Sequence, residues 1–515
     1  MPVNLDFSFR AGSARRRDPD PDEGCLRVAF LGDFSGRDNQ CRAGRPSRPR
    51  ARSSYRVEAG TLDAVMAALQ PRLELALGDP PAPVVALEFR ELDDFHPEAL
   101  YDRLELCAAL RQLRDRLQNP ATFAAAAALL SGLASAPSGV GPAAGGPPAP
   151  PVSPPPPAAG GSLAELLTKP AQAPPAFAPG LSRGGPADSL IRAAVGPYVL
   201  PRPEARLPEC LGQVDAALTG RLRAVLHHPD FQALESLWRG VDFLLRRVDA
   251  DRVDVHLVDV GRAELPAALA QDGQPPGWLQ AWLGEARTAT SGEAPWGLLI
   301  GGFAFGPAPE DSALLSALGT AAQRVGAPFL AAARPELLGA ASALDLPTPT
   351  AWTAVSRESA AAWEALRASG SATYLGLAAP RFLLRLPYGA KGDPVARFGF
   401  EELTAPSAHH EYLWGNPALL CACALAETYV AEGRVGPAQG AYEAADLPYF
   451  AYREDGESRV LPCAEVWLPD RVAERLLEEG IMPVQSMRGR DAVRLVLRSL
   501  CRTTAALAGG GPAGT

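Results

Sequence analysis

The 515-residue sequence has no apolar run long enough to span a membrane, and its first residues alternate instead of forming the apolar block of a signal peptide. Eight cysteines are scattered without a pairing pattern, so we expect reduced thiols that pack as small hydrophobic side chains. Neither a disulfide-stabilised secreted protein nor a membrane-inserted one is expected. The sequence predicts a soluble, cytoplasmic protein.

The sequence also lacks an excess of positive charge. It has 49 Lys and Arg residues against 58 Asp and Glu residues, and its formal net charge is −9. Because phosphate contacts need clustered basic side chains, this balance argues against a protein that binds nucleic acid. The one basic run, from Arg42 to Arg56, also contains Pro and Ser and is interpreted as a solvated loop.

Signatures of catalysis are missing as well. Gly32–Arg37 follows an apolar run, but neither GxxxxGKS/T nor a GxGxxG that opens a helix occurs there, and no nucleophile elbow is found. The adjacent pairs His227–His228 and His409–His410 do not have the i, i+4 spacing of metal ligands on a helix. Cys421 and Cys423 lie inside an apolar helical stretch, where packing explains them. We therefore predict no catalytic residue, no cofactor, no metal site and no enzymatic activity.

What the sequence does contain is enough apolar material for a large core. Hydrophobic residues make up 47% and charged residues 21%, as in globular proteins. Between about residues 137 and 186, Pro, Ala and Gly dominate, and such a segment cannot bury enough apolar surface to offset its ordering entropy. We predict a small domain over residues 1–118, a linker over 119–187, a larger domain over 188–505 and a loose tail over 506–515.

Strand and helix patterns occur in both predicted domains. In the small domain, strands are predicted over residues 26–31 and 84–89, and a helix over 97–117. In the large domain, an apolar run over 296–303, a helix over 311–325 and a second apolar run over 328–333 predict a parallel crossover. The fold class is therefore α/β, with a small N-terminal α/β domain, a Pro/Ala-rich linker and a larger α/β domain whose mixed sheet is flanked by helices.

One helix organises the large domain. Its apolar residues recur every three to four positions from residue 231 to residue 245, which gives one continuous apolar face. Pro229 suits a first helical turn, and Asp230 there complements the helix dipole. The predicted core signature of this helix consists of Phe231, Leu234, Trp238 and Leu245.

Strands near the two ends of the chain are predicted to pair between subunits. Residues 3–9 alternate between apolar and polar, and the arginines and the Asp/Pro stretch that follow detach this strand from its own domain. Residues 492–500 fit a strand with arginine on one face, a candidate acceptor edge. The alternative is a strand that folds back onto its own sheet. The predicted exchange residues are Val3, Leu5, Phe7 and Phe9 on the donor and Arg494, Leu495, Leu497 and Arg498 on the acceptor.

Several longer phrases resemble the contractile sheath of type VI secretion systems (TssB/TssC, or VipA/VipB). The phrases HHPDFQALESLWRG, FGPAPEDSALLSALGTAAQRVGAPFLAAARPELLG, RFLLRLPYGAKGDPVARFGFEE and HEYLWGNPALL, in this order, are similar to the large sheath subunit. RVAFLGDFSGR, PRLEL and LEFRELDDFHPEAL, earlier in the chain, resemble the small subunit. The large-subunit resemblance covers roughly residues 188–500. One chain thus carries regions that the family usually places on two polypeptides.

The resemblance implies a mechanical role without a cofactor. Sheath subunits of this family assemble helically around an inner tube and contract to propel it. Implied partners are further copies of this chain, an Hcp-like inner tube protein, baseplate components and a sheath-disassembling, ClpV-like AAA+ ATPase, with no nucleic acid and no membrane insertion. Two alternatives stay open: an α/β enzyme that binds a nucleotide at Gly301 and Gly302, and a non-assembling baseplate or adaptor protein built from sheath modules.

Overall fold

A computed structural model describes residues 24–43, 54–78, 84–134, 203–270, 277–288, 294–436, 441–454, 456–503 and 506–509. The predicted strand over residues 3–9 and the Pro-rich stretch over 137–186 lie outside these residues, so both stay predictions. The chain divides into two compact units, residues 1–109 with 215–515, and residues 110–214.

The described residues form thirteen α-helices. They are α1 (Arg37–Arg42), α2 (Leu62–Leu69), α3 (Pro97–Arg103), α4 (Glu105–Gln118), α5 (Phe123–Ala134), α6 (Pro203–Leu226), α7 (Pro229–Leu245), α8 (Leu265–Ala268), α9 (Trp278–Thr288), α10 (Pro309–Val325), α11 (Arg357–Ala368), α12 (Ala418–Glu432) and α13 (Asp470–Glu478).

The described residues also form fifteen β-strands. They are β1 (Leu26–Gly32), β2 (Ser54–Val57), β3 (Arg72–Ala76), β4 (Val84–Glu88), β5 (Val253–Asp259), β6 (Trp296–Phe305), β7 (Phe329–Ala333), β8 (Leu375–Ala379), β9 (Phe382–Leu383), β10 (Trp414–Gly415), β11 (Tyr442–Ala444), β12 (Phe450–Glu454), β13 (Glu457–Leu461), β14 (Ile481–Ser486) and β15 (Val493–Leu495).

Nine of the strands form one mixed sheet in the order β11-β15-β14-β8-β7-β6-β1-β5-β2. The six strands from β14 to β5 run parallel, while β2 and β15 pair antiparallel with their inner neighbours. Helices cover the sheet, and β1, β7 and β8 are buried along their whole length, while β5 and β6 contain both buried and half-buried residues. The predicted α/β class with a mixed sheet is confirmed.

Strand β1 occupies a central position in this sheet. It pairs in parallel with β5 from Leu26 opposite Val253 to Gly32 opposite Asp259, and on its other side with β6. All seven β1 residues are buried. The N-terminal and C-terminal parts of the chain therefore share one sheet and one core. The sequence marks them as successive segments but does not reveal that one segment inserts into the sheet of the other.

Three predicted elements differ from the structure. The helix over 97–117 breaks at Leu104, whose backbone is extended, so α3 and α4 are separate helices. The sequence pattern over residues 382–386 also predicts a strand, of which only Phe382–Leu383 is paired as a strand. The strand over 492–500 is shortened to Val493–Leu495, because only these residues lie opposite β14 and β11; the chain then turns toward β8, where the Leu500 amide bonds to the Leu375 carbonyl at 2.8 Å.

The second compact unit contains the Ala-rich helix α5. Its inward residues Phe123, Ala126 and Ala127 are buried. Within the described ranges, no helix combines the length and the apolar character that a membrane crossing needs.

Candidate functional site: the junction of the two modules

We call described residues 24–109 the N-terminal module and described residues 215–509 the C-terminal module. Helix α7 of the C-terminal module begins against the N-terminal module. His228 caps the helix by accepting a hydrogen bond from the Asp230 amide at 3.2 Å. The Asp230 carboxylate in turn accepts a hydrogen bond from the Asn39 side chain at 2.8 Å and pairs with Arg42 at 2.5 Å. The helix start is thus tied to helix α1 by a hydrogen bond and an ion pair.

The apolar face of α7 packs on aromatic residues of the N-terminal module. The Phe231 ring lies 5.9 Å from Phe89 and 5.5 Å from Phe95, both edge-on. Trp238 lies 5.4 Å from Phe34, and its indole N–H donates to the Phe34 carbonyl at 3.0 Å. The four residues of the predicted core signature, Phe231, Leu234, Trp238 and Leu245, are all buried. The partners of Phe231 and Trp238 in these contacts come from the other module, which periodicity cannot predict.

The turn after β1 is shaped by backbone demands. Gly36 has a φ of 75°, and a Cβ at this position would lie 2.3 Å from the Arg72 carbonyl oxygen, so only glycine fits. The Asp33 carboxylate accepts backbone hydrogen bonds from Arg37 at 2.5 Å and from Asp38 at 2.9 Å. Burial raises the pKa of Asp33 to about 7, against the lowering effect of these hydrogen bonds.

Side chains of the two modules fill the space at the carboxyl ends of β1 and β5. Ser35 donates from its amide and its hydroxyl to Asp259, at 3.0 and 2.7 Å. Arg37 pairs with Glu264 at 3.2 Å, and the Arg262 amide donates to Asp38 at 2.8 Å. Open α/β sheets commonly bind ligands at this edge. Here the modules' own side chains bond to one another there, which holds the modules together.

Gly301 and Gly302, the candidate nucleotide-binding residues, lie within strand β6. A Cβ on Gly301 would lie 2.5 Å from the Phe329 ring, and one on Gly302 would lie 2.5 Å from a Leu237 methyl group. Both glycines therefore make room for neighbouring side chains and do not form a loop that could cradle a phosphate. The nucleotide-binding alternative is not favoured.

A buried network of charged side chains lies on the same buried side of α7, around Glu235, one helical turn from Phe231 and Trp238. Glu235, fully buried, accepts from Arg239 at 2.7 Å and from Arg385 at 2.8 Å. Arg385 also forms a two-bond pair with Glu402, at 2.7 and 2.8 Å. Tyr388 completes the network, because its amide donates to Glu402 at 2.7 Å and its hydroxyl accepts from Arg239 at 2.7 Å. Two carboxylates thus face two guanidinium groups inside the protein.

The charges in this network stabilise one another. Burial alone would raise the pKa of Glu235, but the two arginines hold it below its ordinary value. Burial would lower the pKa of Arg385, yet the carboxylates of Glu235 and Glu402 raise it well above its ordinary value. Burial raises the pKa of Tyr388, so its hydroxyl stays neutral. The pKa shifts of Glu235 and Arg385 favour their charged forms, and the network positions the segment 385–402 against α7.

Segment 385–402 also reaches the N-terminal module. Its Ala396 amide donates to Glu98 at 2.6 Å, and Arg397 pairs with Asp102 at 3.0 Å. The Tyr388 ring packs edge-on against His96, with centroids 4.9 Å apart. The buried network therefore supports a second set of contacts between the modules.

This network is not predicted from the sequence. A signal was present, because Glu235 stands one residue after Leu234 on the apolar face of α7, where a carboxylate needs a buried cationic partner. Its partners Arg385 and Glu402 lie about 150 positions further along the chain, and no local pattern connects them.

The histidine pairs lie close to buried carboxylates. His227 Nδ1 lies 3.8 Å from Glu411, and His409 Nε2 lies 3.3 Å from Glu465. Burial lowers the pKa of both histidines despite these carboxylates. No group of three or more potential metal ligands occurs among the residues that the structure describes. Cys421 and Cys423 are buried in α12, where they pack as apolar side chains.

The predicted exchange residues are only partly described. Val3, Leu5, Phe7 and Phe9 lie outside the described residues. Arg494 is exposed and Leu495 is buried on β15, while Leu497 and Arg498 are half-buried beyond its end. β15 has β14 on one side and β11 on the other, so the outer edge of this end of the sheet belongs to β11. Strand exchange itself stays a prediction, with β11 as the nearest available edge.

Comparisons with known proteins agree with the architecture. The family described as VipB (EvpB/VC_A0108, tail sheath N-terminal domain) matches residues 209–499. The family described as "Type VI secretion system, VipA, VC_A0107 or Hcp2" matches residues 15–127. The chain is 32% identical over 291 residues to the type VI secretion system sheath protein TssC1 of Pseudomonas aeruginosa. That match covers 55% of this chain and 58% of the relative.

Proposed function

Since the chain belongs to the tail sheath family of type VI secretion systems, we propose that it is a fused structural protomer of a contractile sheath. Many copies would assemble helically around an inner tube, and the assembly would contract to propel that tube. The role is mechanical and needs no catalytic residue. The energy for contraction would be stored as a difference between two packings of the same protomers.

The observation that carries this proposal is the position of β1. The strand from the region that matches the small sheath family lies between β5 and β6 of the region that matches the large one. A force applied to either region would pass to the other through backbone hydrogen bonds along the seven residues of β1. Fusion of the two regions in one chain fits a protomer that moves as one mechanical unit.

The proposed partners follow from the same role. Copies of this chain are the first, because a helical sheath needs a head-to-tail interface that does not close on itself. An Hcp-like inner tube, baseplate components and a ClpV-like AAA+ ATPase are the others. We place sheath assembly in the cytoplasm. The predicted donor strand over residues 3–9 would add to the sheet of a neighbouring copy at the β11 edge and so link the copies.

Negative-stain electron microscopy of the purified full-length chain tests the proposal. We expect hollow, striated tubules, either from the chain alone or after addition of an inner tube protein. A chain that remains monomeric at high concentration in both conditions would instead support the non-assembling baseplate or adaptor alternative.

A further inference from the structure

A groove lies beside the carboxyl end of β14, outside the junction of the modules. Its volume is about 420 Å³. It is lined by Trp467, Leu468, Pro469, Asp470, Gln485, Ser486, Met487, Arg488 and Arg494. The groove thus combines an aromatic side chain with two arginines at the end of the sheet that carries the outer strand β11.

Arg488 is the unsatisfied charge of this groove. Its guanidinium lies 5.8 Å from the Trp467 ring centroid, and no carboxylate contacts it among the residues that the structure describes. Trp467 is itself 36% exposed, so part of its ring is open to a ligand. Arg494 differs, because it donates to Gln485 at 2.8 Å and to Asp470 at 3.2 Å. The groove therefore offers a free cation beside an open aromatic face, which suits a short acidic peptide.

We propose that the groove binds the acidic segment 18–23 of a second copy of this chain. That segment reads Asp-Pro-Asp-Pro-Asp-Glu and carries four carboxylates. Its prolines favour an extended backbone that loses little entropy on binding, and proline rings pack on an exposed tryptophan. Arg488 receives a carboxylate, and Trp467 receives a proline ring. The proposal rests on the proposed assembly and names a contact between copies that the strand exchange alone does not include.

The same chain cannot place its own segment 18–23 in the groove. Strand pairing aligns Phe30 of β1 with Ile300 and Leu330 on the next two strands. It also aligns Ile481 of β14 with Leu377 and Ala331. Because Ala331 directly follows Leu330, Ile481 lies level with Leu31 across the sheet. Ser486 then lies about twelve residues beyond the level of residue 24, roughly 40 Å along the strands. It also lies four strands to the side, about 19 Å. Six residues extend at most about 21 Å, so the segment falls short.

A neighbouring copy can place it there. Its donor strand over residues 3–9, added at the outer edge of β11, would lie about 10 Å from β15, whose Arg494 lines the groove. Residues 10–17 can then span up to about 28 Å, enough for the acidic segment to reach Trp467 and Arg488.

A charge-swap series on the full-length chain tests the pairing. The variants are Arg488→Glu, Asp20→Lys with Asp22→Lys, and all three substitutions together. Self-association, measured by sedimentation velocity at about 0.1 M salt, should weaken at least tenfold in the first two and recover in the third. Arg459→Gln is the matched control, because this exposed arginine lies on β13, outside the groove and the β11 edge, and pairs with Glu454. Unchanged association in Arg488→Glu, an equal loss in the control, or no recovery in the combined variant overturns the proposal.

Disulfide trapping shows which copy supplies the segment. One chain carries Asp20→Cys, and a second chain of different size carries Met487→Cys; both also carry Cys41→Ser. Under mild oxidation, a disulfide should link one chain of each kind. Absence of that pair overturns the proposal. Microscopy of the same samples separates the two claims. If the wild type and Arg488→Glu form tubules equally well, the groove contact is refuted but the proposed sheath is not. If no sample forms tubules, the proposed sheath is refuted, and the trapping experiment still decides the groove contact.

Discussion

At the residue scale, single side chains join the modules. Trp238 shows this most directly, because its ring packs on Phe34 and its N–H bonds to the Phe34 carbonyl, while the residue itself belongs to α7. Glu235, one turn earlier on the same helix, faces Arg385 instead. One helix thus presents an apolar contact and a charged contact to different parts of the protein, and the two kinds of contact can be tested separately.

Replacement of Trp238 by alanine should lower the free energy of unfolding by about 3–5 kcal/mol, since a fully buried aromatic side chain and its hydrogen bond are both removed. Denaturant unfolding followed by circular dichroism measures the change. Trp467→Ala is the control, because that tryptophan is partly exposed, and its loss should be much smaller. A loss below about 1 kcal/mol for Trp238→Ala would mean that the α7 face is not part of the core.

Replacement of Arg385 by methionine should cost about 3–5 kcal/mol, because the buried Glu402 would lose its arginine partner and the buried Glu235 would keep only Arg239. The matched control is Arg475→Gln, which removes exposed pairs with Glu478 and Glu479 and should cost less than about 1 kcal/mol. Similar losses for the two variants in denaturant unfolding would show that the buried network contributes no more than a surface pair.

The Asp33 carboxyl should make stability depend on pH. Its pKa is raised by burial from 3.8 to about 7, so between these values the folded protein binds a proton that the unfolded chain does not. The stabilisation that this proton gives is complete below about pH 4 and is lost as the pH rises through about 7. The unfolding free energy of the wild type relative to Asp33→Asn should therefore fall from pH 4 to pH 8. A difference that is flat or rises over this range would refute the assignment.

At the scale of elements, the position of a strand in the sheet decides its role. β1 has partners on both sides and is a core strand, whereas β11 has a partner only on its β15 side among the described residues. β11 is only three residues long, and an added strand from another copy would cover its open edge. The predicted donor over residues 3–9 has the alternating pattern that such a strand requires.

Deletion of residues 1–10 separates the two interpretations of the donor strand. If the strand pairs with another copy, the truncated protomer should fold, stay soluble and fail to form tubules, because its own core does not include the strand. Circular dichroism and negative-stain microscopy measure the two properties. An unfolded or aggregating product would place the strand in its own sheet instead.

At the scale of the whole molecule, the described residues of the two modules contact one another directly. β1 lies between β5 and β6, β2 pairs with β5, and Phe89 and Phe95 pack on Phe231. These contacts do not involve the Pro-rich stretch over residues 137–186. The fusion thus sets the ratio of the modules at one to one and raises their effective concentration, while the sheet holds them together.

Cleavage of the linker should therefore leave the modules associated. A protease site inserted between residues 137 and 186 allows the cut, and gel filtration under native conditions should show one species that contains both fragments. In denaturant the fragments should separate, which serves as the control for complete cleavage. Two peaks under native conditions would show that the shared sheet does not hold without the covalent link.

The sequence alone determined the class of the fold and most of its elements. Continuous apolar runs predicted β1, β6 and β7, and a 3.6-residue period predicted the buried face of α7, because burial on one face or on both leaves a local pattern. β14 was missed because Pro483 interrupts its run, and proline argues against a central strand. The resemblance to the sheath family also rested on phrases within the chain alone.

Only the tertiary structure decided which segments meet. The insertion of β1 between β5 and β6, the pairing of Glu235 with Arg385 and Glu402, and the enclosure of Gly301 and Gly302 by Phe329 and Leu237 all join positions far apart in the chain. A local pattern records whether a residue is buried, but not against which partner, because any apolar or oppositely charged neighbour satisfies the same pattern. The partner is selected by the packing of the whole sheet, and for this protein that packing merges two predicted domains into one core.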